Sequence, residues 1–419
     1  MSRNHEEDAR QKAIHLYEQD IGFNKIIRTL GCSRSWLSKW LARYRKYGRE
    51  GLSSRSTAPR RVWRKTPERI VAAILAVRDE LQAHATRRAV FAGIGAEVIH
   101  WELMQRQGSH VPSIATIGRI LKRQGRTDKP KPVPSGGSSP YPAPQVQRSG
   151  DLHQTDIVGP RHLKGVNGAI RFYSFHTIDV AGRMVHASQG PDKRTVSLCR
   201  HLVGAWSVLG VPRISQLDNE MSATGGGRYR YSISQLIRLH LLLGIHVVFV
   251  PQGEPGRNAT VESFNHLWQQ RVLRRHACPD LPRLRRTSDR FLQYYHYRKP
   301  HRALAGHEQG SRFPGVLRDT CWEHLRHLPE HFRLADYTDD RGNLALPIAR
   351  GKVSFIRKVD SNGRIEVNGA SYFIRRKLER HYVVATLEPH RKRLIVTDEG
   401  KGIKTFPFPI LQRTISPLL

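Results

Sequence analysis

Acidic side chains are few in this chain: 35 Asp and Glu stand against 70 Lys and Arg in 419 residues, a formal net charge of +35. That imbalance excludes an ordinary metabolic enzyme as the first expectation. A polyanion becomes the expected partner, because neutralising many phosphates releases condensed counterions and drives binding. Cysteine is scarcer still. Cys32, Cys199, Cys278 and Cys321 lie far apart and form no CxxC or Cys/His spacing, which excludes a disulfide framework and a structural zinc site and suits a reducing cytosol. Long hydrophobic runs are missing as well. The longest, Leu241 to Val250, includes His246 and falls well short of the ~20 residues that span a bilayer, and the opening Met-Ser-Arg-Asn-His-Glu-Glu has no secretory character. The expectation is a cytoplasmic protein with no membrane partner and no small-molecule substrate.

What is present is basic charge throughout. Residues 1–126 carry 25 basic and 11 acidic side chains, residues 151–311 carry 22 and 11, and residues 345–419 carry 15 and 6. A tail that merely adheres to nucleic acid would concentrate the excess at one end; this spread points to a nucleic acid touching several domains. Six prolines with Gly and Ser occupy 127–149 and mark a linker.

Before the linker the pattern is all-α. A helix over about Glu6–Gln19, a second over Phe23–Leu30, Gly31, and a third capped by Ser33 and running to Tyr47 describe a helix-turn-helix over residues 1–52. Trp36, Leu37, Trp40 and Leu41 would face its core, leaving Arg34, Lys39, Arg43 and Lys46 for phosphate or base edges. Residues 66–126 repeat the theme. Thr66 caps and Pro67 opens a helix through Ile70, Ile74, Val77 and Leu81, a second spans Ala89–Gln107, and a third begins at Ser113. There Ile114, Ile117 and Leu121 pack inward while Arg119, Lys122 and Arg123 stay outside. The bland alternative for both units is a trihelical packing module without a DNA role.

After the linker, strands at 152–158, 169–180 and 184–190 are followed by helix 194–209, strand 213–218, helix 232–243 and strand 246–251. Three successive strands and then alternating helices and strands predict a central α/β core with a mixed sheet over 150–311. A connector follows over 312–344. Residues 345–419 show short alternating strands with turn signals at Asn362-Gly363 and Asn368-Gly369, as in a small β-barrel of SH3-like type. There Arg357, Lys358, Arg375, Arg376 and Lys377 would meet DNA or another subunit, or merely form a basic surface.

The few acids of the core segment therefore stand out. Asp156 lies in the first strand, Asp218 ends the fourth, and Glu262 opens the helix after the fifth. Three carboxylates converging at strand ends are hard oxygen ligands, the donor type Mg²⁺ prefers and Mn²⁺ accepts. Two such ions ~4 Å apart polarise an attacking hydroxyl and stabilise the leaving oxygen of an in-line phosphoryl displacement. Asp179, after an apolar run and before Gly182, is better explained as a turn cap than as a fourth ligand.

Gln154-Thr155-Asp156, QLDNE at 216–220 and NATVESFN at 258–265 resemble, in order and context, the three signature segments of the DDE integrase and insertion-sequence transposase superfamily. YHYRKPHRAL at 295–304 is similar to a downstream Tyr-Asn-x-x-Arg-Pro-His-x-x-Leu segment, with His296 and Lys299 departing from it. The resemblance implies an RNase H-like core, Asp156, Asp218 and Glu262 as catalytic metal ligands, and double-stranded DNA as partner. It also implies a homo-multimer, and DNA-end contacts at His266, Gln269 and Arg271. A nucleoid-associated transposase that binds terminal inverted repeats, cleaves 3′ ends and joins them to target DNA is the expected function. The alternative is a catalytically silent DNA-binding regulator derived from such an enzyme. One spacing departs from the family. Between Asp218 and Glu262 lie 43 residues rather than about 35, a surplus assigned to the glycine-rich stretch 222–230. Counting alone would favour Glu254, but Glu254 stands beside Pro255 and Gly256 in a loop whereas Glu262 is held on a helix.

Overall fold

The computed structural model describes residues 3–54, 66–84, 86, 89–108, 110–127, 140–166, 168–219, 231–251, 253–304 and 312–410. The glycine-rich stretch 222–230, Glu220, and most of the linker lie outside the described residues. Chain contacts divide it into two compact units, Met1–Pro67 and Glu68–Leu419.

The first unit is α1 (Arg3–Glu18), α2 (Phe23–Leu30) and α3 (Arg34–Tyr47). Gly31 ends α2 in the left-handed region at φ 61°, and the Ser33 hydroxyl accepts from Trp36 N to start α3. Leu37, Trp40 and Leu41 are buried against Ala13, Ile14 and Ile26, while Trp36 is half-exposed at the edge of that cluster.

In the second unit α4 (Glu68–Ala83), α5 (Ala96–Gln107) and α6 (Ile114–Arg123) form another three-helix cluster around Ile74, Ile99 and Ile117. The expected helix from Ala89 begins only at Ala96. Gly93 and Gly95 break it, glycine being about 1 kcal/mol poorer than alanine in a helix. The residues before the break are used otherwise. Phe91 inserts among Phe291, Tyr294 and His276, and Arg275 donates to the Val90 and Ala92 carbonyls, so this cluster is docked onto the core.

The core sheet runs β3 (Val185–Gly190), β2 (Gly168–Asp179), β1 (Leu152–Gly165), β4 (Ile214–Leu217), β5 (His246–Phe249). β1, β2 and β3 pair antiparallel; β1, β4 and β5 pair parallel. From Phe172 to Asp179 every residue of β2 is buried, a pattern expected where both sheet faces are covered. α7 (Thr195–Leu209) and α8 (Gln235–Leu242) contribute Leu202, Trp206 and Leu239 to one apolar cluster. α9 (Ala259–Trp268) and α10 (Leu281–Tyr297) contribute Phe264, Trp268 and Phe291 to another. α11 (Pro314–Cys321) follows in the expected connector.

The terminal region departs from expectation. β6 (Val353–Lys358) pairs in parallel with β5, and β9 (Tyr382–Glu388), β10 (Arg393–Asp398) and β11 (Lys401–Pro407) continue outward from it, giving one nine-stranded sheet. Only β7 (Arg364–Val367) and β8 (Ala370–Phe373) form a separate hairpin. Among the described residues no pairing closes these strands into an SH3-like barrel of their own. The reason is the edge of the core sheet: β5 would expose unpaired backbone groups, and β6 covers them while Phe355 stacks on Phe249 at 5.2 Å. The turn signals do hold, with Asn368 and Gly369 both at positive φ between β7 and β8.

Candidate active site and nucleic-acid interface

The register of β1 against β4 sets Gln154 beside Gln216 and Thr155 beside Leu217, so the next residues on each strand, Asp156 and Asp218, emerge side by side at the carboxyl ends. Ligands of open α/β sheets gather at that end. All three acids are half-buried. The Glu262 carboxyl is held above the usual carboxylate range, first by partial burial and then by the charges of Asp156 and Asp218. Glu262 on its helix therefore senses the aspartates of two strands. Among the described residues, however, no three Asp, Glu, His or Cys side chains are close enough together to hold one ion. The donor set is all oxygen and its charges are mutually repelling, which fits a hard divalent cation.

Each acid is held by its neighbours. Asp156 Oδ2 accepts from Asn265 Nδ2 at 2.6 Å and Oδ1 from the Ile157 amide at 2.8 Å. Asn265 is itself fixed by His176, whose Nδ1 shares a hydrogen bond with Asn265 Oδ1 and whose Nε2 meets Ser174 Oγ at 2.7 Å. Burial pushes the His176 pKa down to about 4, so the ring is neutral and donates through Nδ1. Asp218 Oδ1 accepts from the Asn219 amide. The start of α9 is tied to both strands. Gln154 Oε1 accepts from the Val261 amide at 3.3 Å, and Gln216 Nε2 donates to the Arg257 carbonyl at 2.9 Å and to Asn258 Oδ1 at 2.8 Å.

Sequence reasoning missed Asn265, Gln154 and Gln216. The signal was available: each glutamine stands two residues before an aspartate on a strand, hence on the same sheet face, and Asn265 follows Glu262 by one helical turn. Asn258 occupies the cap position of α9, but its side chain makes no capping bond because Gln216 engages it.

Glu254 is differently placed. Both its carboxylate oxygens accept from the Tyr382 hydroxyl at 2.8 Å, and Arg257 Nε pairs with Oε2 at 2.9 Å. Asp179 accepts from the Gly150, Ala181 and Gly182 amides, which makes it a turn cap. His266 is exposed on the Glu262 side of α9 and hydrogen-bonds Gln270, while Gln269 Oε1 accepts from Arg161 at 2.9 Å. Arg271 does not continue that face. A π-turn over Gln269–Leu273 changes the helical register, and Arg271 lies beside Gly93 and Tyr294 in the docked helical cluster.

On the helical units, Arg34, Lys39 and Lys46 are exposed along α3, and Arg119, Lys122 and Arg123 along α6. Arg43 is partly withdrawn: it stacks over Trp40 at 4.5 Å and donates to the Ser53 carbonyl at 3.1 Å. In the terminal strands Lys358, Arg375, Arg376 and Lys377 are exposed, but Arg357 turns inward. In the segment at 295–304, Tyr295, His296 and His301 pack inward while Arg298 and Arg302 are exposed. His296 Nε2 accepts from the Val185 amide, and the rings of Tyr295 and His301 lie 4.5 Å apart. No helix among the described residues is long and apolar enough to cross a membrane.

Residues 4–53 match a homeodomain-like domain family, residues 36–121 match another family of that description, and residues 243–307 match the integrase core domain family. The last match takes in β5, α9 with Glu262, and α10. Among solved structures the chain is similar to the simian T-cell lymphotropic virus intasome in complex with PP2A regulatory subunit B56 gamma, at 14% identity over 76% of this chain and 99% of that one, TM-score 0.33. It is also similar to the HTLV-2 integrase catalytic core domain in complex with magnesium, at 18% over 37% and 92%, TM-score 0.28. A third likeness is the BIV integrase catalytic core domain, at 14% over 42% and 97%, TM-score 0.31.

Proposed function

Because the chain belongs to the DDE transposase and integrase superfamily, we propose that it is a DNA transposase that binds the terminal inverted repeats of its element, cleaves their 3′ ends and joins them to target DNA. The observation that carries this reading is the strand register that brings Asp156 and Asp218 to neighbouring strand ends, with the Glu262 carboxyl raised first by burial and then by the charges of both. The catalytic core is of RNase H-like type, and Asp156, Asp218 and Glu262 would hold Mg²⁺, with Mn²⁺ substituting. When bound, the divalent ions supply Lewis acidity and charge neutralisation for phosphoryl transfer. The chain's own residues do the rest. Asn265 and the Ile157 amide orient Asp156, and Gln154 and Gln216 fix the start of α9, which keeps Glu262 at the strand ends. Arg34, Lys39 and Lys46 on α3 and Arg119, Lys122 and Arg123 on α6 contact the element end, with His266 and Gln269 beside the acids engaging the DNA terminus. Two ends must be brought together, so the working form is a homo-multimer on the nucleoid.

The test is incubation of the full chain with labelled duplexes carrying the DNA that flanks its own gene, in Mg²⁺ or Mn²⁺. Nicked and joined products are expected, and Asp156→Asn should abolish both. Tight binding with no metal-dependent product in any form would instead establish the silent regulator. Asn265→Ala should lower the rate about 10- to 100-fold, as loss of a residue that orients a metal ligand commonly does. A rate within twofold of wild type would remove Asn265 from the site.

A further inference from the structure

The terminal strands reach the residue that follows the second acid and the loop that leads into the helix of the third. From β6, Arg357 Nη2 donates to Asn219 Oδ1 at 2.6 Å, and Asn219 is the residue after Asp218. The same guanidinium donates to the Ile356 and Glu366 carbonyls and reaches the Val250 carbonyl at 3.4 Å, just past the end of β5. From the start of β9, the Tyr382 hydroxyl donates to Glu254 at 2.8 Å and accepts from Arg257 Nη2 at 3.1 Å. Arg257 is stacked over Tyr141 at 3.9 Å and lies 5.2 Å from the Tyr382 ring, and its carbonyl accepts from Gln216, two residues before Asp218. The helix that carries Glu262 in its first turn begins two residues after Arg257, at Ala259.

We propose that Arg357 and Tyr382 are positioning residues of the catalytic centre: the terminal strands brace Asp218 through Asn219, and Glu262 through the Glu254–Arg257 loop. This inference rests on the transposase reading above. It also gives a use to a carboxylate and an arginine that a DNA-binding role leaves unexplained, since Glu254 is engaged by Tyr382 and Arg357 does not face solvent as its exposed neighbour Lys358 does. A hydrogen-bonded chain through side chains of fixed rotamer is how a distant element holds a ligand within the narrow tolerance that phosphoryl transfer needs.

The experiment uses the full chain, with Tyr382→Phe removing one hydroxyl and Asn219→Ala releasing Arg357 without burying a new group. Two readouts are taken, amide hydrogen exchange at residues 219 and 253–262, and strand transfer on element-end duplexes. Exchange is expected to rise about tenfold or more at 253–262 in Tyr382→Phe and at 219 in Asn219→Ala. Turnover is expected to fall about 10-fold or more, with the KM for the DNA end within about twofold. Tyr382→Phe and Glu254→Gln should be strongly non-additive when combined, because they break one contact. Unchanged exchange in both variants would overturn the brace. Raised exchange with unchanged turnover would reduce it to a packing contact. Absence of strand transfer in the wild-type chain would count against the transposase reading, and the brace would then be decided by exchange alone.

Discussion

Glu262→Gln is expected to lower metal-dependent strand cleavage and joining by about a thousandfold or more, roughly 4 kcal/mol of lost transition-state stabilisation. Glu254→Gln should retain on the order of a tenth of the rate. The two substitutions have the same shape and the same change of charge, so the contrast isolates location. The Glu262 carboxyl is raised by partial burial and then by the charges of Asp156 and Asp218, whereas Glu254 is engaged by Tyr382 and Arg257. Neutralising Glu262 also removes a like-charge repulsion. Its melting temperature should therefore be equal to or above that of the wild type, the trade between stability and activity expected where function requires charges to be crowded. Side-by-side assays of both variants in Mg²⁺ and Mn²⁺, with thermal unfolding of each, decide the matter. Activity that survives in Glu262→Gln and disappears in Glu254→Gln would transfer the third ligand to the loop and dissolve the brace.

Mild acid should unfold the second unit, with a midpoint near pH 5. His153, His201, His240, His296 and His301 are buried. Desolvation pushes His153, His296 and His301 down to about 3, His240 to about 4, and His201 well below the ordinary value. In the unfolded chain each titrates near 6.5. Between that value and the folded values the unfolded state binds more protons, so stability rises with pH there; it is complete above about 6.5 and is lost as pH falls. Each of these histidines removes about 1.4 kcal/mol per pH unit below 6.5, and five together remove about 7. A typical native stability of about 5–15 kcal/mol is then exhausted within one to two units. Growing positive charge on an already basic chain acts in the same direction. Circular dichroism and tryptophan fluorescence followed from pH 8 to pH 4 at fixed salt would show the transition. A melting temperature at pH 5 equal to that at pH 7 would contradict it. His153 has no hydrogen-bond partner on either ring nitrogen among the described residues, so His153→Leu should flatten the slope by one proton without losing a bond.

The sequence by itself determined the local elements and the chemical inventory. Ser33 caps the helix it was expected to cap, Ser113 caps the helix expected to begin there, and Leu37, Trp40, Ile74 and Ile117 are core residues as their helical spacing requires. The mixed core sheet follows the order of its strand and helix patterns, since periodicity and turn chemistry are short-range properties that survive without a tertiary context. Asp156, Asp218 and Glu262 were legible as candidates because acids are rare in a basic chain and these stand at element ends.

What the tertiary structure decided was pairing between distant segments. An alternating strand reads the same whether it closes a small barrel or extends another sheet. Only the free edge of β5 made β6 a continuation of the core. Arg357 belongs to a basic cluster by composition, yet its neighbours turn it inward to Asn219. Gln154, Gln216 and Asn265 carry no charge to mark them in the sequence, and their roles exist only because a strand register and a helix start meet at one place. Glu254 and Glu262 are alike in type and close in the chain. Their separation into a structural partner and a candidate ligand comes from the contact of Glu254 with Tyr382, more than a hundred residues away, and from the placement of Glu262 within the charge of Asp156 and Asp218, which no local pattern encodes.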